Sequence, residues 1–230
     1  MSNHNVLFDI NQNLIVSCQA LEDEPLHGSE TMAKMAEAAK IGGAKAIRCN
    51  SVIDALAIKT QTDLPIIAII KRDYSGSDVY ITPTIREIKE LLAVKPDVIA
   101  LDATIHTRPN NEKLNDLVTF IHENSDTLVM GDIATLEDAA YAYECEVDIL
   151  SSTLAGYTKE TRHVQGPDFN LVKQLSKMYD IPVIAEGQIQ TPEQARIMLD
   201  MGAWSVVVGG AITRPQMITK SFVSVMSAGQ

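Results

Sequence analysis

Short apolar runs recur along the whole chain. Each run is rich in Val and Ile and is continuous rather than alternating in hydrophobicity, which is typical of a strand covered on both faces. There are eight of them: LIVSCQA (14–20), AKAIRCN (44–50), PIIAIIK (65–71), VIALDAT (98–104), TLVMGDI (127–133), DILSST (148–153), PVIAEGQI (182–189) and SVVVGGA (205–211). The segments between them have helical periodicity, as in residues 31–43, where four apolar side chains are spaced along one helix face. The pattern therefore predicts strands and helices in alternation.

Two architectures fit this alternation, an open doubly wound sheet and a closed (β/α)8 TIM barrel. The count of eight strands favours the barrel. An internal repetition agrees with it, because IATLEDA (133–139) resembles IQTPEQA (189–195) and each follows a predicted strand. No stretch longer than a loop lacks a pattern. We therefore predict an α/β fold of the (β/α)8 class, with residues 1–230 in a single domain.

Several predicted helices have capping signals at their start. The spacing of a hydroxyl residue and a polar residue three positions later occurs in the pairs Ser51 and Asp54, Thr135 and Asp138, Thr191 and Gln194, and Thr213 and Gln216. Thr82-Pro83 places a proline where the first residue of a helix is expected.

Charge and composition narrow the class of partner. The formal net charge of −11 argues against nucleic acid and against an anionic membrane surface, because no basic surplus is available to neutralise phosphates. No apolar run approaches the roughly 18 residues that span a bilayer, and the first residues do not resemble a signal peptide. The three cysteines are an odd number without CxxC spacing, so neither disulfides nor a zinc site is suggested. We expect a cytoplasmic protein whose partner is a small molecule.

Polar residues stand where the apolar strands end. In (β/α)8 barrels the active site lies at the carboxyl ends of the strands, so these side chains should converge on one mouth. They are Gln19, Arg48, Lys71, Asp102, Asp132, Glu186, Gly209 and Gly210.

Lys71 and Glu186 are the candidate catalytic pair. Burial lowers the pKa of a lysine and raises that of a carboxyl group, and both shifts suit proton transfer. A lysine with a lowered pKa could instead form a Schiff base. Because Lys71 and Glu186 follow strands three and seven, they could face one carbon from opposite sides, as stereoinversion requires. The alternatives are a lysine that emerges into solvent and a glutamate buried in an ion pair, with Lys71 itself as one candidate partner. The five histidines do not cluster with the carboxylates, so a metal site is disfavoured.

The loop after the eighth strand is a candidate phosphate site. Gly209 and Gly210 allow close approach to backbone N–H groups at a helix start, and Gly187 leaves similar room after Glu186. A tight turn that needs glycine is the alternative. Arg48 and Arg214 are candidate charged partners for a phosphate or carboxylate.

Asp102 and Asp132 have two interpretations. Either could orient Lys71 or bind sugar hydroxyls, and either could instead form an ion pair or cap a helix.

The strings resemble one known family. Taken in order, LIVSCQALEDEPLHG, AIRCN, IIAIIKRDYSGSD, VIALDAT, GDIAT, LAGYT, VIAEGQIQTPEQA and SVVVGGAITRP closely resemble the bacterial N-acetylmannosamine-6-phosphate 2-epimerases from about Leu14 to about Met226. Their combination is far more specific than any one of them.

The resemblance implies a (β/α)8 fold and interconversion of N-acetylmannosamine 6-phosphate with N-acetylglucosamine 6-phosphate in sialic-acid catabolism, with no metal or organic cofactor. It implies that Lys71 and Glu186 form the acid/base pair, with Asp132 supporting the lysine. It also implies that Gln19 and Arg48 hold substrate, and that Gly209 and Gly210 take the phosphate. Gln188 departs from the family pattern, since many relatives have a longer basic residue there; Cys49 also departs, where alanine is commoner.

Two alternative functions and the oligomeric state stay open. A lysine on a barrel strand also serves Schiff-base aldolases, and a barrel of this kind can bind a sugar phosphate without catalysis. The sequence is compatible with a homodimer and does not decide the oligomeric state.

Overall fold

Eight parallel strands form a closed barrel in sequence order. A computed structural model describes the backbone of residues 3–227 and the side chains of residues 6–227. Each strand pairs with the next, and β8 pairs with β1. The strands are β1 Leu14–Cys18, β2 Ala46–Asn50, β3 Ile66–Ile69, β4 Val98–Asp102, β5 Leu128–Asp132, β6 Ile149–Ser151, β7 Val183–Ala185 and β8 Ser205–Val208. Every predicted run contains one of them, so the (β/α)8 prediction is confirmed.

Helices follow the strands around the outside, and one further helix precedes β1. They are α1 Asn3–Ile10, α2 Ser29–Ile41, α3 Val52–Gln61, α4 Ile85–Leu92, α5 Leu114–Asn124, α6 Leu136–Glu144, α7 Phe169–Met178, α8 Pro192–Asp200, α9 Gly210–Thr213 and α10 Pro215–Ser227, with a short 3-10 turn at Pro109–Asn111. No helix among residues 3–227 is long and apolar enough to cross a membrane.

The core has an inner and an outer part. Alternate strand side chains fill the barrel interior, and the others pack between the strands and the helices. Helix α1, which the pattern did not predict, buries Val6 and Ile10 in the inner cluster. The indole Nε1 of Trp204 donates a hydrogen bond of 2.8 Å to the carbonyl of Leu7. This helix therefore closes the amino-terminal end of the barrel and leaves the other end for the site.

Three of the four capping predictions are confirmed. The side chains of Ser51, Thr135 and Thr191 each accept a hydrogen bond from the backbone N–H three residues later. The fourth is wrong, because Thr213 lies inside α9 and its hydroxyl donates to the carbonyl of Ser17 at 2.9 Å. Its side chain ties the end of β1 to the loop after β8.

The helix start predicted at Thr82-Pro83 is also wrong. Helix α4 begins at Ile85. Thr84 is its N-cap residue and forms a capping box with Glu87 in the first turn. Residue Thr82 instead donates its backbone N–H to the carbonyl of Ile70 at 2.8 Å, with a φ of 43°. The chain must therefore run back beside the end of β3 before it can turn into the helix.

Helix α10 has an unusual surface. None of its residues is buried, and Phe222, Val223, Val225 and Met226 are more than half exposed. Two cavities of 490 and 550 Å³ lie over the outer faces of β1 and β8, with predominantly apolar linings that include Leu14, Val16, Leu199, Val206 and Ile212. The apolar side of α10 and this part of the barrel are both left uncovered.

Candidate active site

A cavity of 210 Å³ lies at the carboxyl ends of the strands. Eight of the ten residues singled out from the sequence line it: Gln19, Arg48, Lys71, Glu186, Gly187, Gly209, Gly210 and Arg214. They come from five different strand ends, and the barrel brings them together. Asp102 and Asp132 do not line it.

A buried guanidinium lies between two carboxylates at one side of the cavity. Nη1 and Nη2 of Arg48 bind the two oxygens of Asp132 at 3.0 and 2.5 Å, and Nη1 also lies 2.9 Å from Oε2 of Glu186. Arg48 is 1% exposed and Asp132 is fully buried, so both charges depend on this pairing. The ion-pair partner of Glu186 is therefore Arg48 and not Lys71.

Two hydroxyl residues after β6 hold Glu186. Oγ of Ser152 accepts the backbone N–H of Glu186 at 3.1 Å and donates to its carbonyl at 2.9 Å. Oγ1 of Thr153 lies 3.1 Å from Oε2 of Glu186 and 2.7 Å from Oδ1 of Asp132. Neither residue was singled out from the sequence, although both stand as hydroxyl residues at the end of the predicted strand DILSST. They fix the backbone and the carboxylate of Glu186 at once.

Burial raises the pKa of Glu186. The charge of Asp132 adds to this effect, while the guanidinium of Arg48 opposes it. Among residues 6–227, the side-chain donors to Glu186 reach Oε2 only, which leaves Oε1 without one. A carboxyl group in these surroundings can carry a proton and present it to a ligand.

Lys71 has the opposite shift. Burial, together with the positive charges of Arg48 and Arg214, lowers its pKa to about 8. Its backbone is fixed by a 2.8 Å hydrogen bond to the side chain of Asn50 and by an antiparallel bridge with Ile81. The lysine therefore stands at a defined place at the end of β3, with a pKa suited to a general base near neutral pH.

A polar network secures the loop that follows Lys71. Glu87 is fully buried and accepts hydrogen bonds from the hydroxyl of Tyr74 at 2.9 Å, from the backbone N–H of Thr84 at 2.9 Å and from Arg72. Arg72 also binds Glu90 at 3.0 Å. This network was not foreseen, because the sequence does not show which acidic residue of α4 points inward.

The loop after β8 presents the glycine pair and Arg214. Arg214 is held by Glu24 through two hydrogen bonds of 2.6 and 2.9 Å. Gly209 caps the short helix α9, and neither Gly209 nor Gly210 has a positive φ. The backbone conformation that requires glycine occurs instead at Gly187, which has a φ of 108° and lies against the carbonyl oxygens of Ser152 and Thr153.

Asp102, expected to bind substrate, is not among the residues that line the cavity. It is 3% exposed, and one of its oxygens accepts the backbone N–H and the hydroxyl of Thr104 at 2.9 and 2.7 Å. Its carboxylate therefore fixes its own loop.

Asp132 forms an ion pair, which was one of the alternatives considered for it. It binds Arg48 rather than Lys71, and the start of α6 is capped by Thr135 and Asp138. It acts on the cavity through Arg48.

Gln188 is the departure noted from the family pattern. Its Oε1 accepts the backbone N–H of Gly166 at 3.0 Å, and its Nε2 donates to the carbonyl of Val164 at 3.3 Å. The amide thereby ties the loop after β6 to the loop after β7. A basic side chain could not accept the hydrogen bond from Gly166.

Tyr80, Tyr157 and Met217 also line the cavity and were not singled out from the sequence. Burial raises the pKa of Tyr80 to about 12, and the carboxylate of Asp132 adds to that shift. The two tyrosines lie on loops and Met217 lies in α10, and none of them has a distinctive spacing that could have pointed to it.

Fold and site together define a (β/α)8-barrel protein with an arginine–carboxylate group and a lysine of lowered pKa around one cavity at the barrel mouth. A family model described as "Putative N-acetylmannosamine-6-phosphate epimerase" matches residues 32–228. The chain belongs to this family.

Similar proteins agree with that membership. Two proteins named "Putative N-acetylmannosamine-6-phosphate 2-epimerase" are similar over nearly their whole length. The one from Clostridium perfringens (strain SM101 / Type A) is 53% identical over 214 residues, 93% of this chain and 96% of that protein. The one from Clostridioides difficile (strain 630) is 51% identical over 218 residues, 95% of this chain and 97% of that protein.

Solved structures show the same fold. The structure described as that of the N-acetylmannosamine-6-phosphate 2-epimerase from Clostridium perfringens has a TM-score of 0.93 at 52% identity, and the match covers 95% of each chain. A thiamine phosphate pyrophosphorylase from Pyrococcus furiosus has a TM-score of 0.61 at 17% identity, covering 90% of this chain and 89% of that one. This second likeness concerns the fold alone.

Proposed function

We propose that the protein interconverts N-acetylmannosamine 6-phosphate and N-acetylglucosamine 6-phosphate by moving the proton at C2. The observation that carries this proposal is the placement of Lys71 and Glu186 on one cavity, at the ends of β3 and β7. These strands are four places apart in a ring of eight, so the two side chains approach a ligand from opposite sides. Membership of the family supports the choice of substrate.

The chemistry needs a base on one face of C2 and an acid on the other. Neutral Lys71 removes the proton in one direction, and protonated Glu186 delivers a proton to the opposite face. The reverse reaction starts with protonated Lys71 and ionised Glu186. The pKa of the lysine is lowered and that of the glutamate is raised, so the two pKa values lie closer together. Each group can then serve as the base in one direction and as the acid in the other. Arg48, which also lines the cavity, stabilises the negative charge that develops on the carbonyl side.

The remaining lining residues would hold the substrate. The amide nitrogen of Gln19 donates to Oγ of Ser17 at 2.9 Å, which orients its oxygen as an acceptor for a sugar hydroxyl. The backbone around Gly187, Gly209 and Gly210 would take the phosphate, with Arg214 as the nearby cation. Glu24 fixes the guanidinium of Arg214 in advance, which reduces the entropy lost on binding.

The test is chromatographic separation of the two epimers after incubation with either one. We expect turnover by the wild-type protein and a loss of at least about 1,000-fold in Lys71→Met and Glu186→Gln. Lys34→Met is the matched control, since Lys34 is an exposed residue of α2 and should leave turnover unchanged. A protein that binds the sugar phosphates without converting them would contradict the proposal. So would an adduct on Lys71 that borohydride traps, because that is the mark of a Schiff base.

The resemblance also supports a place in sialic-acid catabolism, action in the cytoplasm and catalysis without a metal or organic cofactor. These belong to the proposal. Activity that persists after exhaustive treatment with a chelator would support the part that concerns metal.

We further propose a homodimer. The exposed apolar side of α10 and the uncovered face of β1 and β8 are the two surfaces available for burial against a second copy. Sedimentation velocity should show a dimer, and Phe222→Asp should convert it to a monomer. Lys220→Glu, on the opposite face of the same helix, should leave the dimer intact. A wild-type protein that sediments as a monomer at micromolar concentration would overturn this part.

A further inference from the structure

Thr153 lies where the polar contacts of the site meet. Its Oγ1 is 2.7 Å from Oδ1 of Asp132, 2.8 Å from Oγ of Ser151, 3.1 Å from Oε2 of Glu186 and 3.4 Å from Nη1 of Arg48. A hydroxyl group can donate one hydrogen and accept two. Four neighbours therefore share three hydrogen-bonding positions.

The neighbours differ in what they can do. Arg48 can only donate, and the carboxylate of Asp132, paired at both oxygens with Arg48, can only accept. Since a carboxylate is a stronger acceptor than a hydroxyl, Ser151 donates to Thr153 and the hydrogen of Thr153 goes to a carboxylate. Asp132 and Glu186 thus compete for a single hydrogen.

The competition depends on the state of Glu186. When Glu186 is ionised, the Thr153 hydrogen can bind its Oε2, and Asp132 keeps the two hydrogen bonds from Arg48. When Glu186 is protonated, its oxygen is a weaker acceptor, and the hydrogen turns to Asp132, the nearer of the two oxygens. Each state of Glu186 has its own arrangement of the same hydroxyl group.

We propose that Thr153 is a positioning residue whose hydroxyl hydrogen rotates between Glu186 and Asp132 as Glu186 alternates between base and acid. This inference rests on the proposed epimerisation. It assigns Thr153 a task that neither Ser152, which holds the backbone of Glu186, nor Arg48, which always donates, can perform.

The charged and titratable groups around Glu186 stay the same when Thr153 is changed. They are Arg48 on β2, Lys71 after β3, Asp132 on β5 and Tyr157 on the loop after β6. Loss of the Thr153 hydroxyl takes from ionised Glu186 one of the two side-chain donors that residues 6–227 supply, so that only Arg48 is left. In the protonated state it takes from Asp132 one of three donors in the same range, which leaves both hydrogen bonds from Arg48, so the ionised state loses the larger share. The acidic limb of the pH profile should move upward.

The experiment compares Thr153→Val, which keeps the shape, with Thr153→Ser, which keeps the hydroxyl. For Thr153→Val we expect kcat to fall by about 10- to 100-fold, with KM changed by less than about threefold and the acidic limb of kcat/KM raised by about one pH unit. Thr153→Ser should stay within about threefold of wild type at an unchanged limb. If Thr153→Val does not fold, Thr153→Ala carries the same expectation.

Thr127→Val is the matched control. Thr127 is buried, and its hydroxyl donates to the carbonyl of Pro96 at 3.0 Å, at the other end of β5. It should leave kcat and the pH profile unchanged even where it lowers thermal stability.

The outcomes separate this inference from the proposed function. If the wild type converts the epimers and Glu186→Gln does not, but Thr153→Val has the kcat and acidic limb of the wild type, the role of Thr153 is refuted and the epimerase proposal stands. Equal losses in Thr153→Val and Thr153→Ser would also refute it, because packing rather than the hydroxyl would then be responsible. An inactive wild-type protein would overturn both.

Discussion

Nη1 of Arg48 lies 2.9 Å from Oε2 of Glu186, although 138 positions separate the two residues in the chain. The same guanidinium binds both oxygens of Asp132, and Arg48 is almost completely buried. One guanidinium therefore pairs with two carboxylates. Burial raises the pKa of Glu186 and favours a proton on it, and the charge of Asp132 adds to this effect against the opposing charge of Arg48.

Replacement of Arg48 by lysine should be costly. A lysine keeps the charge but cannot bind Asp132 at both oxygens while also reaching Glu186. We expect Arg48→Lys to lower the free energy of unfolding by about 3 kcal/mol in urea titration and to reduce kcat/KM by at least about 100-fold. The control is Arg196→Lys on the exposed surface of α8, where the pair with Asp200 should contribute at most about 0.5 kcal/mol. Equal, small effects of the two substitutions would show that the buried pair is unimportant.

Lys71→Met should make the protein more stable while it abolishes turnover. The pKa of Lys71 is lowered from 10.5 to about 8, so a cost of keeping it protonated in the fold is present below pH 8. Between pH 8 and 10.5 the unfolded chain binds more protons than the folded one at this residue, and the cost disappears as pH rises. We expect Lys71→Met to gain about 1–2 kcal/mol at pH 7 and to lose most of that advantage by pH 10. An advantage that is the same at both pH values would contradict the burial of a charged lysine.

Gly187→Ala should disturb the carboxylate beside it. Gly187 has a φ of 108°, and a Cβ atom there would lie 3.3 Å from the carbonyl oxygen of Ser152 and 3.4 Å from that of Thr153. We expect a loss of about 2–3 kcal/mol in stability and a larger loss in kcat than in substrate binding, because Glu186 must shift.

Gly43→Ala separates the two causes of that loss. Gly43 has a similar φ of 101° but has no atom within 4 Å of the added Cβ. It should lose about 1 kcal/mol through backbone strain alone and keep its turnover. If Gly187→Ala behaves in the same way as Gly43→Ala, the close contacts at Ser152 and Thr153 do not matter.

Gln188→Ala should release the loop after β6. Its amide is bound to Gly166 and Val164, and the loop also carries Tyr157, which lines the cavity. We expect faster hydrogen exchange at residues 156–166 and a higher KM, while α8 keeps its protection. Gln61→Ala is the comparison, since Gln61 is an exposed residue of α3 whose amide donates to Glu37 on α2. Unchanged exchange in 156–166 would show that other contacts hold the loop.

The strands could be predicted because each is a continuous apolar run between polar loops, and the barrel rule then placed the polar strand ends around one mouth. Helix α1 could not, because its eight residues are too few to show a helical repeat, and its position depends on the packing of Val6 and Ile10 beneath the barrel. The pairing of Arg48 with Asp132 and Glu186 depends on the stagger of strands across the barrel, which no local pattern encodes. Thr153 is a small hydroxyl residue in a loop, so only its neighbours in space show its importance.

Gln188 illustrates the same limit. From the sequence it was a missing basic residue, whereas the structure shows that its amide uses both a donor and an acceptor on the backbone of the adjacent loop. Gln188 therefore holds the loop after β6 in place, and its neutral side chain brings no positive charge to a phosphate.

The most direct test of the account is the fate of hydrogen at C2 when wild-type protein converts N-acetylmannosamine 6-phosphate in deuterated water, followed by NMR. Because Lys71 and Glu186 act on opposite faces of C2, we expect N-acetylglucosamine 6-phosphate to carry deuterium at C2 from the first turnover. The remaining substrate should still carry hydrogen at early times. A product that retains hydrogen at C2, or early labelling of substrate and product to the same extent, would contradict the assignment of Lys71 and Glu186 as an acid/base pair.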